Sequence, residues 1–247
     1  MAVAERVVIS GAGCCTALGH DLDSVARSLR EGRDAFRASG ALEGLSVCPA
    51  EDWGQDGARQ QFEGWRHRHY LNRGSRMAVL SGLRALRDAG LEAGLPVRSQ
   101  IIAAVGPMLD VTGEPGLPPQ DTATLGALWL LRWLPNTAAG ALARFARCHG
   151  EALTVNAACA SALQALGEGW RRIRFGLADA VLVAAGDSRL SLGGLLGYHK
   201  ARALSLCAPG TGPRPFDMGR DGFVPGEGGA AFVLESLSSA QARGAHV

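Results

Sequence analysis

The sequence predicts one α/β domain: a five-stranded, mainly parallel sheet with helices on both faces. Three observations predict it. Short apolar runs alternate along the chain with longer segments of helical spacing. The runs are rich in Val, Ile, Leu and Ala, the composition of strands covered on both faces. With 247 residues, 47% of them hydrophobic, the chain is long enough to bury a sizeable core.

The first strand is expected at Arg6–Ser10. Gly11-Ala-Gly13-Cys14-Cys15-Thr16 then imitates the G-x-G-x-x-G dinucleotide fingerprint, but Thr16 holds the third glycine position and no helix begins before about Asp21. A pyrophosphate needs the helix N-terminus beside it. The segment is therefore read as a tight structural turn, and no cofactor is expected. A helix follows at Leu22–Glu31, with Asp21 or Asp23 as its cap. Gly40–Arg68 lacks periodicity and reads as an irregular excursion. Gly74–Ala89 is a helix and Ser99–Val105 a strand, while the prolines of Gly113–Gln120 mark a loop.

Helices at Thr122–Leu134 and Thr137–Ala146 precede a strand at Ala152–Asn156. The helix Ala160–Phe175 carries Leu163, Leu166, Trp170 and Ile173 on one face, and is expected to lie buried near the centre of the sheet. Strands at Ala180–Ala185 and Gly229–Glu235 complete the sheet. The second should lie inside it, because Ala230–Leu234 is apolar on both faces. A helix at Leu237–Arg243 ends the series. No repeat or linker divides residues 1–247.

Composition removes several function classes. Net charge is +2 without a basic stripe, which argues against a nucleic-acid partner. The six cysteines form no paired C-x-x-C set, so no metal is expected. Leu125–Leu134 is broken by Gly126 and Arg132 and is too short to span a bilayer. Val7-Val8-Ile9 is too short for a signal peptide. A cytoplasmic, reducing setting is the expectation. Charged residues make up only 19%, below the roughly 25% usual for soluble domains, which suggests surface that another chain, or another part of the same protein, covers.

Cys159 is the candidate catalytic residue. It stands where an apolar strand hands over to a helix, among Ala157, Ala158, Ala160, Ser161 and Ala162. Small neighbours permit a tight turn and leave room for a substrate. A helix N-terminus favours a thiolate and offers N–H groups to an oxyanion. Buried cysteines are usually inert; the small neighbours set this one apart. The histidines His20, His67, His69, His149, His199 and His246 supply no evident partner for it. The block Arg214–Gly229 alternates charges with glycines and is read as a loop locked by ion pairs beneath a site.

Together these segments resemble the N-terminal half of a β-ketoacyl-acyl-carrier-protein synthase of the KAS I/II or polyketide ketosynthase type, in the thiolase superfamily. Val7–Gly13 is similar to the family's opening strand, and Leu71–Leu91 to its first long helix. Pro135-Asn136-Thr-Ala-Ala-Gly140 precedes the nucleophile segment Asn156-Ala-Ala-Cys159-Ala-Ser161-Ala-Leu163, as in the family. Ile173–Asp179, Ala203-Leu204-Ser205 and Arg214-Pro-Phe-Asp217 through Glu227-Gly228 follow in order. Two departures lie where the family shapes its acyl pocket. Ala157-Ala158 stands where Thr-Ala is common, and Pro107 stiffens the turn after Val105.

The resemblance implies that Cys159 accepts an acyl group for decarboxylative condensation with malonyl-acyl-carrier protein, its own N–H serving as one oxyanion donor. It implies acyl carrier protein as partner, and a homodimer or a heterodimer with a ketosynthase subunit. The family's two histidines, lysine and second oxyanion donor belong to the C-terminal half, and nothing after Cys159 resembles those histidine motifs. An incomplete condensing enzyme is therefore one expectation, and a non-catalytic partner akin to chain-length factors the other. Such partners commonly lack the nucleophile, so Cys159 favours the first. A Cys–His thioesterase or amidase would need a histidine within bonding distance of Cys159.

Overall fold

The computed structural model describes residues 5–108 and 127–247. Its strands are β1 (Val7–Thr16), β2 (Arg37–Ala38), β3 (Ser46–Val47), β4 (Ser99–Val105), β5 (Ala152–Thr154), β6 (Ala180–Ser188) and β7 (Glu227–Ser236). Five of them form the central sheet in the order β1-β7-β6-β4-β5, and β2 pairs with β3 apart from it. β4 is parallel to β5 and β6, whereas β7 runs antiparallel between β6 and β1. Four strands thus point one way and β7 opposes them. The mainly parallel sheet is as the sequence suggests, with the final strand inside it.

The helices are α1 (Leu22–Arg30), α2 (Gly57–Glu63), α3 (Arg73–Asp88), α4 (Asn136–Phe145), α5 (Ser161–Arg174), α6 (Leu192–Lys200) and α7 (Leu237–Ala242). Asp21 caps α1, its carboxylate accepting the Ser24 N–H at 2.7 Å. Asn72 does the same for α3 through Ser75, at 2.8 Å. The stretch read as an irregular excursion holds β3, α2 and most of a 3₁₀ turn at Arg66–Tyr70. α6 was not foreseen either; its alternation of leucine and glycine gives no sided pattern. Of the expected helix Thr122–Leu134, residues up to 126 lie outside those described, and Trp129–Arg132 form one 3₁₀ turn. The loop expected at Gly113–Gln120 also lies outside them.

The expected turn at Gly11–Thr16 is instead the second half of β1, paired with β7 from Gly11↔Val233 to Thr16↔Gly228. Its glycines serve packing. A Cβ at Gly11 would lie 2.4 Å from the Ala85 carbonyl oxygen, and one at Gly13 2.3 Å from that of Ser81. Gly186 and Gly229 meet α3 in the same way, with Cβ positions 2.5 Å from Gly74 O and 2.7 Å from Met77 C. Bare backbone on three adjacent strands lets α3 sit directly on the sheet. Twelve of its sixteen residues are buried.

Glu235, on β7, is fully buried beside this layer. It accepts from Ser10, Ser239 and Arg243, and Arg243 also donates to the Ala89 carbonyl at 2.6 Å. Burial pushes the carboxyl pKa up, but the hydrogen bonds from Arg243 and Ser10 outweigh it and hold the group below the usual glutamate range.

α5 crosses the opposite face, where Ala165, Gly169 and Ile173 are buried against β4, β6 and β7. The expectation that this helix is buried is corrected. Its inward side is set by Ala165, Gly169 and Ile173, with Leu166 partly covered. Leu163 and Trp170 lie off that line and are 75% and 47% exposed. Small residues bring the helix close to the sheet, and nothing among the described residues covers its far side.

Candidate active site

β5 ends at Thr154, though Val155 still donates its N–H to Ala103 O at 2.9 Å. The chain then passes through a 3₁₀ turn, Ala158–Ala160, and enters α5 at Ser161. Ala158 sits at φ 50°, in the left-handed region that costs an L-residue roughly 1–2 kcal/mol. Ser161 holds the turn closed. Its hydroxyl accepts the Ala157 N–H at 2.7 Å and donates to the Ala158 carbonyl at 2.7 Å. Cys159, at the middle of this turn, is exposed, whereas the other five cysteines are buried or half-buried.

Cys159 lines a cavity of about 570 Å³. The walls are the C-terminal ends of β4 and β6, the exit from β5, and the start of β7, represented by Val105, Ala185, Asn156 and Gly229. Because β7 opposes its neighbours, its beginning meets their ends. This is the edge at which α/β sheets collect ligands. Most lining side chains are absent or no larger than Ala, which is what leaves the volume. Tyr198 of α6 closes one side and packs edge-on against Phe223, centroids 5.2 Å apart.

Two charges stand in this wall, Asp187 and Arg189. Asp187 accepts from Arg189 Nε at 3.0 Å and from the Ser188 N–H at 2.9 Å. Arg189 Nη1 donates to the Pro107 carbonyl at 2.9 Å, tying the end of β6 to the turn after β4. Among the described residues no histidine lines the cavity; His199, next to Tyr198, is exposed.

The site therefore contains residues that sequence reasoning passed over: Asp187, Arg189, Tyr198, and Ser161 in its bracing role. The available signal was two opposite charges at the end of an apolar strand.

The block Arg214–Gly229 is not locked as expected. Among the described residues no ion pair forms within it. Arg214 and Arg220 donate to the backbone carbonyls of Gly219 and Asp217, and Asp221 accepts from Ser205 Oγ at 2.7 Å. Its one ion pair reaches outward: Glu227, with no exposed side chain, accepts from Arg73 Nε at 2.6 Å, Ser188 at 2.6 Å and the Ala50 N–H at 3.0 Å. Glu227 lines a second cavity, of about 440 Å³, which shares Asp187 with the first. Its buried acid is fully partnered by Arg73, Ser188 and Ala50.

Residues 4–240 match the family model described as beta-ketoacyl synthase, N-terminal domain. The chain belongs to the β-ketoacyl synthase family. Among curated relatives of this ketosynthase domain is 3-oxoacyl-[acyl-carrier-protein] synthase 2 of Vibrio cholerae, 26% identical over 98% of the chain and 61% of the relative. A crystal structure of a β-ketoacyl synthase from Burkholderia phymatum STM815 superposes with TM-score 0.80 at 27% identity, covering 98% of this chain and 62% of the other. The ishigamide ketosynthase/chain length factor follows at TM-score 0.78 and 26% identity, over 99% and 61%. The thiolase-like fold is thereby established. The chain spans about 61% of the length of the first curated relatives it matches.

Proposed function

We propose that this β-ketoacyl synthase domain supplies the acyl-accepting thiol of a fatty-acid or polyketide condensing enzyme, in the 3-oxoacyl-[acyl-carrier-protein] synthase class of acyltransferases. The observation that carries the reading is the exposure of Cys159 in a serine-braced turn beside a roomy cavity. In the loading step the Cys159 thiolate attacks the carbonyl carbon of an acyl thioester on the carrier protein. A new C–S bond forms, the tetrahedral intermediate collapses, and the carrier thiolate leaves, taking up the proton that Cys159 gave up. Condensation then requires malonyl-carrier protein to lose carbon dioxide and its carbanion to attack the acyl-cysteine. The described cavity wall holds neither histidine nor lysine to polarise the malonyl thioester. Acyl loading is the step that the residues of this wall support.

Acyl carrier protein is the proposed partner, with a second copy or a ketosynthase subunit completing a cytoplasmic dimer. The likeness to a ketosynthase/chain length factor keeps a second reading in play, a non-catalytic partner subunit. Thiol counting separates the two. Mixed with acyl-carrier protein, the chain should release one equivalent of carrier thiol, and Cys159→Ala should release none. No release from the unaltered chain would leave the partner reading.

A further inference from the structure

We infer that Arg189 selects the acyl group, and that the preferred substrates carry a carbonyl or hydroxyl oxygen along the chain rather than a plain alkyl tail. The inference rests on the reading of Cys159 as acyl acceptor. Arg189 lines the Cys159 cavity with its side chain only 15% exposed. A guanidinium has five N–H donors. Among the described residues Arg189 commits one through Nε to Asp187 and one through Nη1 to the Pro107 carbonyl.

Nη2 lies 2.1 Å from where a Cβ of Gly106 would stand, and Gly106 is itself part of the cavity wall. The absence of that Cβ is what admits the guanidinium there. Its two remaining Nη2 donors thus stand at the wall, in a site otherwise made mostly of alanine and glycine. A saturated chain passing this point would strip them of water and return nothing. An oxygen on the chain would accept from them. Asp187 cancels the arginine's charge, and these two are the only formal charges among the described lining residues. The match is therefore to a neutral oxygen and not to a carboxylate.

The test compares hexanoyl and 5-oxohexanoyl pantetheine thioesters, whose reacting carbonyls are electronically alike. Loading of the full chain is followed by intact mass. The 5-oxo group should load about 10-fold faster or more, the rate equivalent of one net hydrogen bond to a charged donor. Arg189→Met should bring the two rates together, and Arg189→Lys, which keeps the charge and its pairing with Asp187, should retain part of the preference. Equal rates in the unaltered chain, or a preference that survives Arg189→Met, would overturn the inference. If neither thioester loads, the reading of Cys159 as acceptor fails. Equilibrium binding of the matching unreactive thioethers then still decides: an Arg189-dependent preference for the oxygenated one supports selection, and its absence overturns it.

Discussion

The two faces of the sheet are built to opposite ends. On one, α3 rests on the bare backbone of Gly11, Gly13, Gly186 and Gly229 and buries twelve of its sixteen residues. On the other, α5 buries three of fourteen and leaves Leu163 and Trp170 largely in the open. The closed face carries the buried ion pair of Glu235 and Arg243. The open face is entered through the turn that carries Cys159. On the proposed reading of Cys159, stability and chemistry are separated across one sheet: changes on the α3 side should be read in folding, and those near α5 in reactivity and association.

The largest effect should come from the ion pair. Arg243→Ala leaves Glu235 buried and uncompensated, a loss of about 3–5 kcal/mol measurable by urea denaturation at pH 7. The sign with pH follows from the depressed folded-state pKa. The contribution of Glu235 is present above the ordinary glutamate value of 4.5 and is lost as pH falls below it through the folded value. The unaltered chain should therefore lose stability over that acidic range, and Arg243→Ala should lose less there. Next comes Gly13→Val, which drives a side chain into the Ser81 carbonyl and should cost about 3 kcal/mol in the same experiment. Tolerance of valine there would mean that α3 does not sit where described.

Near α5 the balance should reverse. Ser161→Ala removes both bonds that close the Cys159 turn, and should cost only about 1–2 kcal/mol of stability while slowing acyl loading about 10-fold. Smallest in folding is the pair Leu163→Ser and Trp170→Ser, each expected within about 0.5 kcal/mol of the unaltered chain. Their effect should appear in sedimentation instead. The unaltered chain is expected to self-associate through this apolar face, and the double variant to sediment as a smaller species.

The same division explains what could be read from sequence. The interior place of β7 was legible because Ala230–Leu234 is apolar whichever way it faces. The strand-to-helix turn at Cys159 was legible because the small residues that allow it are local to it. The glycines of β1 were not, since a glycine in a turn and a glycine beneath a helix have the same sequence signature; what decides is α3, more than sixty residues away. The outward turn of Leu163 and Trp170 was hidden for a related reason. Helical spacing groups them with Ile173, but the side that meets the sheet is chosen by where Ala165 and Gly169 allow close approach. Arg189 and Asp187 escaped notice because their meaning comes from Gly106 and Pro107, in the turn that follows β4.

The most direct measurement of the central claim is the site of acyl transfer. The chain is incubated with an acyl-pantetheine thioester and digested, and each cysteine is scored for its adduct by mass spectrometry. The account predicts the acyl group on Cys159. Cys15 should remain unmodified, since burial pushes its thiol up to about 11. Cys207 is the informative control. Hydrogen bonds with Thr211 and Ser205 hold its pKa below the usual thiol value, yet it lies outside the Cys159 cavity. Acyl groups found on Cys207, or spread evenly over the accessible cysteines, would contradict the claim that the open face is built to present Cys159.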